Sequence, residues 1–134
     1  MKKLYYIGGK YFLKESDEQN STIILSQLNK EKIEDGISAF YEATQNGKMV
    51  PVSVRLYKNG VDCGVSYNFD CMTGGFTQYV EYDNGHVCVS MDRFSIKKHK
   101  NEANSYYKQA NDMWNMIHNP QMTVLERGWW VKSL

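Results

Sequence analysis

An α+β fold, in which an antiparallel β-meander is covered on one face by two amphipathic helices, is predicted by three observations. Apolar and polar residues alternate with period two from Val50 to Met91, broken by Asn59-Gly60 and Asn84-Gly85. Two other segments repeat apolar residues at three-four spacing. Near the start, two aromatic and aliphatic runs flank Gly8-Gly9. The chain of 134 residues, with 16 Lys+Arg against 15 Asp+Glu, reads as one domain over 1–134. Its near-neutral charge lacks the broad basic footprint of a dedicated nucleic-acid binder.

Leu4-Tyr5-Tyr6-Ile7 and Tyr11-Phe12-Leu13 form the predicted N-terminal hairpin, because Gly8-Gly9 accommodates positive φ at both turn positions. Glu15 to Ser21 reads as a polar loop, and the β-branched run Thr22 to Leu28 as a buried strand. Asn29 then caps a predicted helix whose Ile33, Ile37, Phe40, Tyr41 and Thr44 share one side and which Asn46-Gly47 stops. Gly36 inside it costs about 1 kcal/mol relative to Ala and marks a close helix-sheet contact.

A two-residue turn at Asn59-Gly60 sets Lys58 opposite Val61, Leu56 opposite Cys63, Val54 opposite Val65, Val52 opposite Tyr67 and Val50 opposite Phe69. The same rule at Asn84-Gly85 sets Tyr82 opposite Val87, Val80 opposite Val89 and Gln78 opposite Met91, and Thr73-Gly74-Gly75 joins the two hairpins. With the N-terminal hairpin the sheet has about five to seven strands. The second helix starts between Asp92 and Asn101 and ends at His118-Asn119, since Pro120 disfavours helical geometry before it. Ala103, Tyr106, Tyr107, Ala110, Met113, Trp114 and Ile117 form its apolar side. Thr123 to Val131 reads as one or two short strands. The order of a helix followed by four antiparallel strands resembles the cystatin or nuclear-transport-factor style of wrapping, a likeness of element order that implies no function.

This register gathers Ser53, Arg55, Tyr57, Asp62, Ser66, Asn68, Thr77, Tyr79, Glu81, His86, Cys88 and Ser90 on the polar face. Arg55, Tyr57, Asn68, Tyr79 and Glu81 are the candidate ligand- or partner-binding residues, Arg offering a planar fork and Tyr a stacking surface. An antiparallel sheet with one face in water would also carry such residues without binding anything. Trp129 and Trp130 join the candidates, because neighbouring strand residues face opposite sides and both cannot enter one core.

No HExxH, GxSxG, phosphate-loop or dinucleotide motif occurs. The nearest catalytic constellation is Cys88 with His86 two residues away and Glu81 opposite, which could make an activated thiolate, although a strand Cys is commonly an inert small hydrophobe. Arg93, Lys97, Lys98 and Lys100 could touch phosphates. Cys63 is expected in the core and Cys71 in a turn, so the three cysteines make no metal site, and no cofactor is implied. The odd cysteine count and the lack of a signal peptide or roughly 20-residue apolar span point to a reduced cytoplasmic protein off the membrane.

Elimination favours a small, non-enzymatic binding protein whose partner is a protein or small ligand, of the kind found among accessory or sequestering inhibitory proteins of bacteria and phages. The alternatives are a single-stranded nucleic-acid binder, with Tyr57 and Tyr79 as stacking platforms, and a small cysteine-dependent enzyme. A homodimer is expected, because an open meander leaves edges to cover.

Overall fold

The computed structural model describes residues 1–83 and 86–134, so the Asn84-Gly85 turn lies outside the described residues. Two strands, β1 (Lys2–Ile7) and β2 (Lys10–Asp17), make the N-terminal hairpin, followed by β3 (Thr22–Leu28) and β4 (Glu34–Ala43). The chain continues through β5 (Met49–Lys58), β6 (Val61–Phe69), β7 (Phe76–Asp83) and β8 (His86–Ser90). Helix α1 (Arg93–His118), a single turn α2 (Met122–Leu125) and β9 (Trp129–Ser133) complete it. The described residues form one antiparallel sheet in the order β8-β7-β6-β5-β4-β3-β2-β1-β9. The α+β class stands, with more strands and fewer helices than the sequence predicts.

The expected first helix is β4. Asn29 does cap, its Oδ1 accepting from the amides of Glu31 and Ile33 at 3.0 Å, but the turn stops at Lys32, whose φ is +62°. Ile37, Ala39 and Tyr41 then alternate into the core with period two, a pattern hidden by the helical spacing of Ile33, Ile37, Phe40 and Tyr41. Gly36 has φ +110° and leaves room for Gln27, whose Oε1 accepts from the Ile37 amide at 2.9 Å. Its close neighbour is thus a strand side chain, and the cystatin-like order of elements lapses. The polar loop is shorter than expected, since β2 runs on to Asp17, and the last segment divides into α2 and β9.

One helix suffices to cover the middle of the sheet because it crosses the strands. Its 26 residues span about 39 Å, close to the roughly 38 Å occupied by nine strands. Along it, His99 stacks on Tyr79 of β7, Tyr106 and Tyr107 meet Tyr67 and Phe69 of β6, Ala110 lies over Tyr41 of β4, and His118 reaches Lys14 of β2. Asp92 caps its start, accepting from the Ser95 amide at 2.9 Å. The core is aromatic: Tyr41, 0% exposed, donates its hydroxyl to the Ala110 carbonyl at 2.6 Å, and Tyr67 donates to Glu102 at 2.7 Å.

Irregularities in the meander decide which side each residue faces. Lys58 pairs with Val61 and Tyr57 with Asp62 as expected, but Arg55 then pairs with Ser66 and Val54 with Tyr67. The extra residues of β6 are taken up around Gly64, at φ +79°, and Cys63 is exposed rather than in the core. A second shift between Phe40 and Tyr41 sets Pro51 opposite Tyr41, so Val54 and Leu56 share the helix side while Val50 turns away with Glu42. The register of β7 with β8 agrees with expectation on the described residues, Tyr82 facing Val87 and Val80 facing Val89. Its sides are exchanged, however: Tyr79 pairs with core residue Tyr67, so Val80, Tyr82, Val87 and Val89 lie on the side away from α1.

Candidate functional site

The sheet face away from α1 carries no second layer of described secondary structure. Hydrogen-bonded register runs across it from Leu4 through Leu13, Ser26, Ser38, Arg55, Ser66 and Val80 to Val89. The serines form its floor. Ser26 and Ser38 hydroxyls lie 2.9 Å apart, Ser53 and Ser66 lie 3.1 Å apart, and the Asn68 amide donates to Gln78 at 3.0 Å. Small, internally bonded side chains keep this centre low while satisfying their own polar groups.

Arg55 stands on that floor. Its guanidinium pairs with Asp62 and lies 4.7 Å from the centroid of the Tyr82 ring. The bulge sets this geometry, because the Gly64 amide donates to Asp62 Oδ1 at 2.9 Å and a Cβ on Gly64 would meet the Tyr82 carbonyl at 2.6 Å. Arg55 Nε is buried and has no hydrogen-bond partner among the described residues. Tyr57, opposite Asp62, has its hydroxyl pKa raised by burial and then by Glu34 and Asp62.

Toward β9 the same face becomes aromatic. Tyr6 stacks on Trp130 with centroids 5.7 Å apart, Tyr11 packs 5.1 Å from Tyr6, and Lys32 Nζ lies 5.6 Å from the Tyr11 centroid. The structure therefore brings Arg55, Tyr57, Asn68 and Trp130 to one face. Trp129 pairs with Ile7 on the helix side and is 59% exposed there. Sequence reasoning missed Tyr6, Tyr11 and Tyr82. The Gly8-Gly9 turn held the signal for two of them, since Ile7 opposite Lys10 sets Tyr6 opposite Tyr11.

Tyr79 and Glu81 do not belong to this face. Tyr79 is 8% exposed beneath the His99 ring, 3.8 Å away, and burial, with Glu81 next, pushes its hydroxyl pKa up to about 12. Tyr67 is raised by burial and by its bond to Glu102. Glu81 does face Cys88, and His86 pairs with Asp83 on the same side, but no hydrogen bond among the described residues joins Cys88, His86 and Glu81. Arg93, Lys97, Lys98 and Lys100 are exposed on the first turns of α1, across the sheet from Arg55. Helix α1 begins before the lysines, leaving only Arg93 in the first turn.

One titratable pair lies under the helix end. His118 stacks 3.8 Å from Trp114, donates from Nδ1 to the Trp114 carbonyl at 2.9 Å, and accepts at Nε2 from the Lys14 ammonium at 2.9 Å. Burial first, and the Lys14 charge as well, hold the His118 pKa below its ordinary value. Burial and Lys3 lower that of Lys14. The described residues contain no cluster of three or more His, Cys, Asp or Glu able to hold a metal ion, and no helix long and apolar enough to cross a membrane. No family model, curated protein or solved structure matches this chain.

Proposed function

We propose that the protein is a non-enzymatic binding module that docks a protein partner across the open sheet face and thereby sequesters it. One observation carries this reading: among the described residues no helix or second sheet lies on the face opposite α1, yet it bears an aromatic cluster at one end, exposed valines at the other and a stacked, ion-paired Arg55 between them. A sheet face whose only role is solvation is predominantly polar. Aromatic residues and Arg are the side chains that concentrate binding energy in protein interfaces. The balance of 16 Lys+Arg against 15 Asp+Glu favours a protein surface over a polyanion, and three free cysteines fit a reducing cytosol.

Single-stranded nucleic-acid binding has less support, since Tyr79 is stacked under His99 and the lysines of α1 lie across the sheet from Tyr57. The test is capture from a lysate of the source cells on immobilised protein, read by quantitative mass spectrometry. Tyr11→Ala with Trp130→Ala, and separately Arg55→Ala, should each cut specific capture at least about tenfold. Lys97→Ala with Lys98→Ala should leave it unchanged. Equal capture by all variants, or loss only in the lysine variant, would overturn the assignment of the face.

A further inference from the structure

The two outer strands of the sheet are guarded differently. β9 carries Lys132 in its five residues, whereas β8, His86-Val87-Cys88-Val89-Ser90, contains no Lys, Arg, Asp, Glu or Pro and pairs with β7 without a bulge. Charges, prolines and bulges are the ordinary means of keeping an edge from pairing. Here Val87 and Val89 are 57% and 50% exposed, and the residues that follow, Met91 and Phe94, are among the most exposed apolar side chains in the protein.

The sequence of β8 also matches itself. In an antiparallel pair, both the side-chain face and the direction of hydrogen bonding alternate with period two. Two copies related by a two-fold axis must agree in both, so one residue has to face its own copy. The register that uses all of β8 centres on Cys88. Val87 then faces Val89 of the second copy, twice, on the open face. Cys88 faces Cys88 on the helix side, and His86 faces Ser90. No like-charged pair forms and no valine is set against a charge. The same operation on β9 centres on Val131 and sets Trp130 against Lys132.

We propose that β8 is a self-pairing edge, joining two copies of this chain in one continuous sheet with Cys88 at the two-fold axis. The two open faces then adjoin across a valine seam bordered by Met91. The backbone ladder of one short strand, with few side chains, places this interface in the small, reversible class.

The experiment uses protein retaining only Cys88 (Cys63→Ser with Cys71→Ser) and protein retaining only Cys63 (Cys71→Ser with Cys88→Ser), each treated with the short bifunctional thiol reagent bismaleimidoethane. The Cys88-only protein should form a covalent two-chain species at least about tenfold faster than the Cys63-only protein. An excess of protein lacking all three cysteines should suppress that reaction by competing for the edge, a measurement that leaves the valines intact. Light scattering should give a mass rising toward two chains over the micromolar range, and Val87→Lys with Val89→Lys should return it to one chain. A one-chain mass throughout with no preferential Cys88 cross-link overturns the proposal, as does a two-chain mass unaccompanied by cross-linking at Cys88. Partner capture by the open face is tested separately by Tyr11→Ala with Trp130→Ala and by Arg55→Ala, which leave β8 intact, so a failure of the self-pairing and a failure of the docking reading are told apart.

Discussion

The two faces of the one sheet are built from overlapping residue types and put to different uses. Beneath α1, Tyr41, Tyr67 and Phe69 pack as a core, with the Tyr41 hydroxyl bonded to Ala110 inside it and the Tyr67 hydroxyl bonded to Glu102 in a half-buried contact. On the open side, Tyr6, Tyr11, Trp130 and Tyr82 cluster with Lys32 or Arg55 and have no helix over them. Residue type therefore does not tell a covered face from an open one. Tyr41 and Tyr67 serve as core with their hydroxyls bonded, whereas Tyr6, Tyr11 and Tyr82 stand on the open side.

This contrast breaks most sharply at Tyr41. Tyr41→Ala should cost about 3–5 kcal/mol in denaturant unfolding, through the cavity and the lost hydroxyl bond. Leu13→Ala on the open face should cost clearly less, and equal losses would mean that the open face also acts as core. Gly64→Ala tests the link between the faces. Its positive φ and the Tyr82 carbonyl leave no room for a methyl group, so a loss of about 2 kcal/mol is expected, together with weaker partner capture as Arg55 and Asp62 shift.

Acid should act on the covered side. His118 binds a proton less readily folded than unfolded, so its contribution to stability is complete above about pH 6.5 and is lost as the pH falls below that value. The urea midpoint should drop between about pH 7.5 and 5, and His118→Gln should remove part of that drop. An identical slope in the variant would remove the histidine from the account. The smallest effect is expected at the centre of the open face. Arg55→Ala breaks a partly exposed ion pair and should change stability by less than about 1 kcal/mol while still reducing capture.

Much of this architecture is legible in residue order. The Gly8-Gly9 and Asn59-Gly60 turns, the strand from Thr22 to Leu28, the pairing of Val80 with Val89, and a long helix that starts between Asp92 and Asn101 and stops at His118-Asn119 follow from turn chemistry and periodicity. The 29–47 segment misleads because Ile37 serves both periods and Asn29 makes the same side-chain bonds in a turn that it would make at a helix start. The sides of β7 are lost for a different reason. Reading them requires the register between β6 and β7, which a two-residue turn does not supply, and treating Tyr79 as polar sends it outward. Arg55, Tyr57 and Asn68 keep their predicted side; Tyr79 and Glu81 exchange theirs.

The pairing of β9 with β1 ties the last described strand to the first, with Val131 beside Tyr5 and Trp130 stacked on Tyr6. A chain made from its amino end must therefore leave β1 with a bare backbone flank until nearly every other strand has emerged. The flank of β1 stays open until β9 is made, and only then can Trp130 close the aromatic stack on Tyr6.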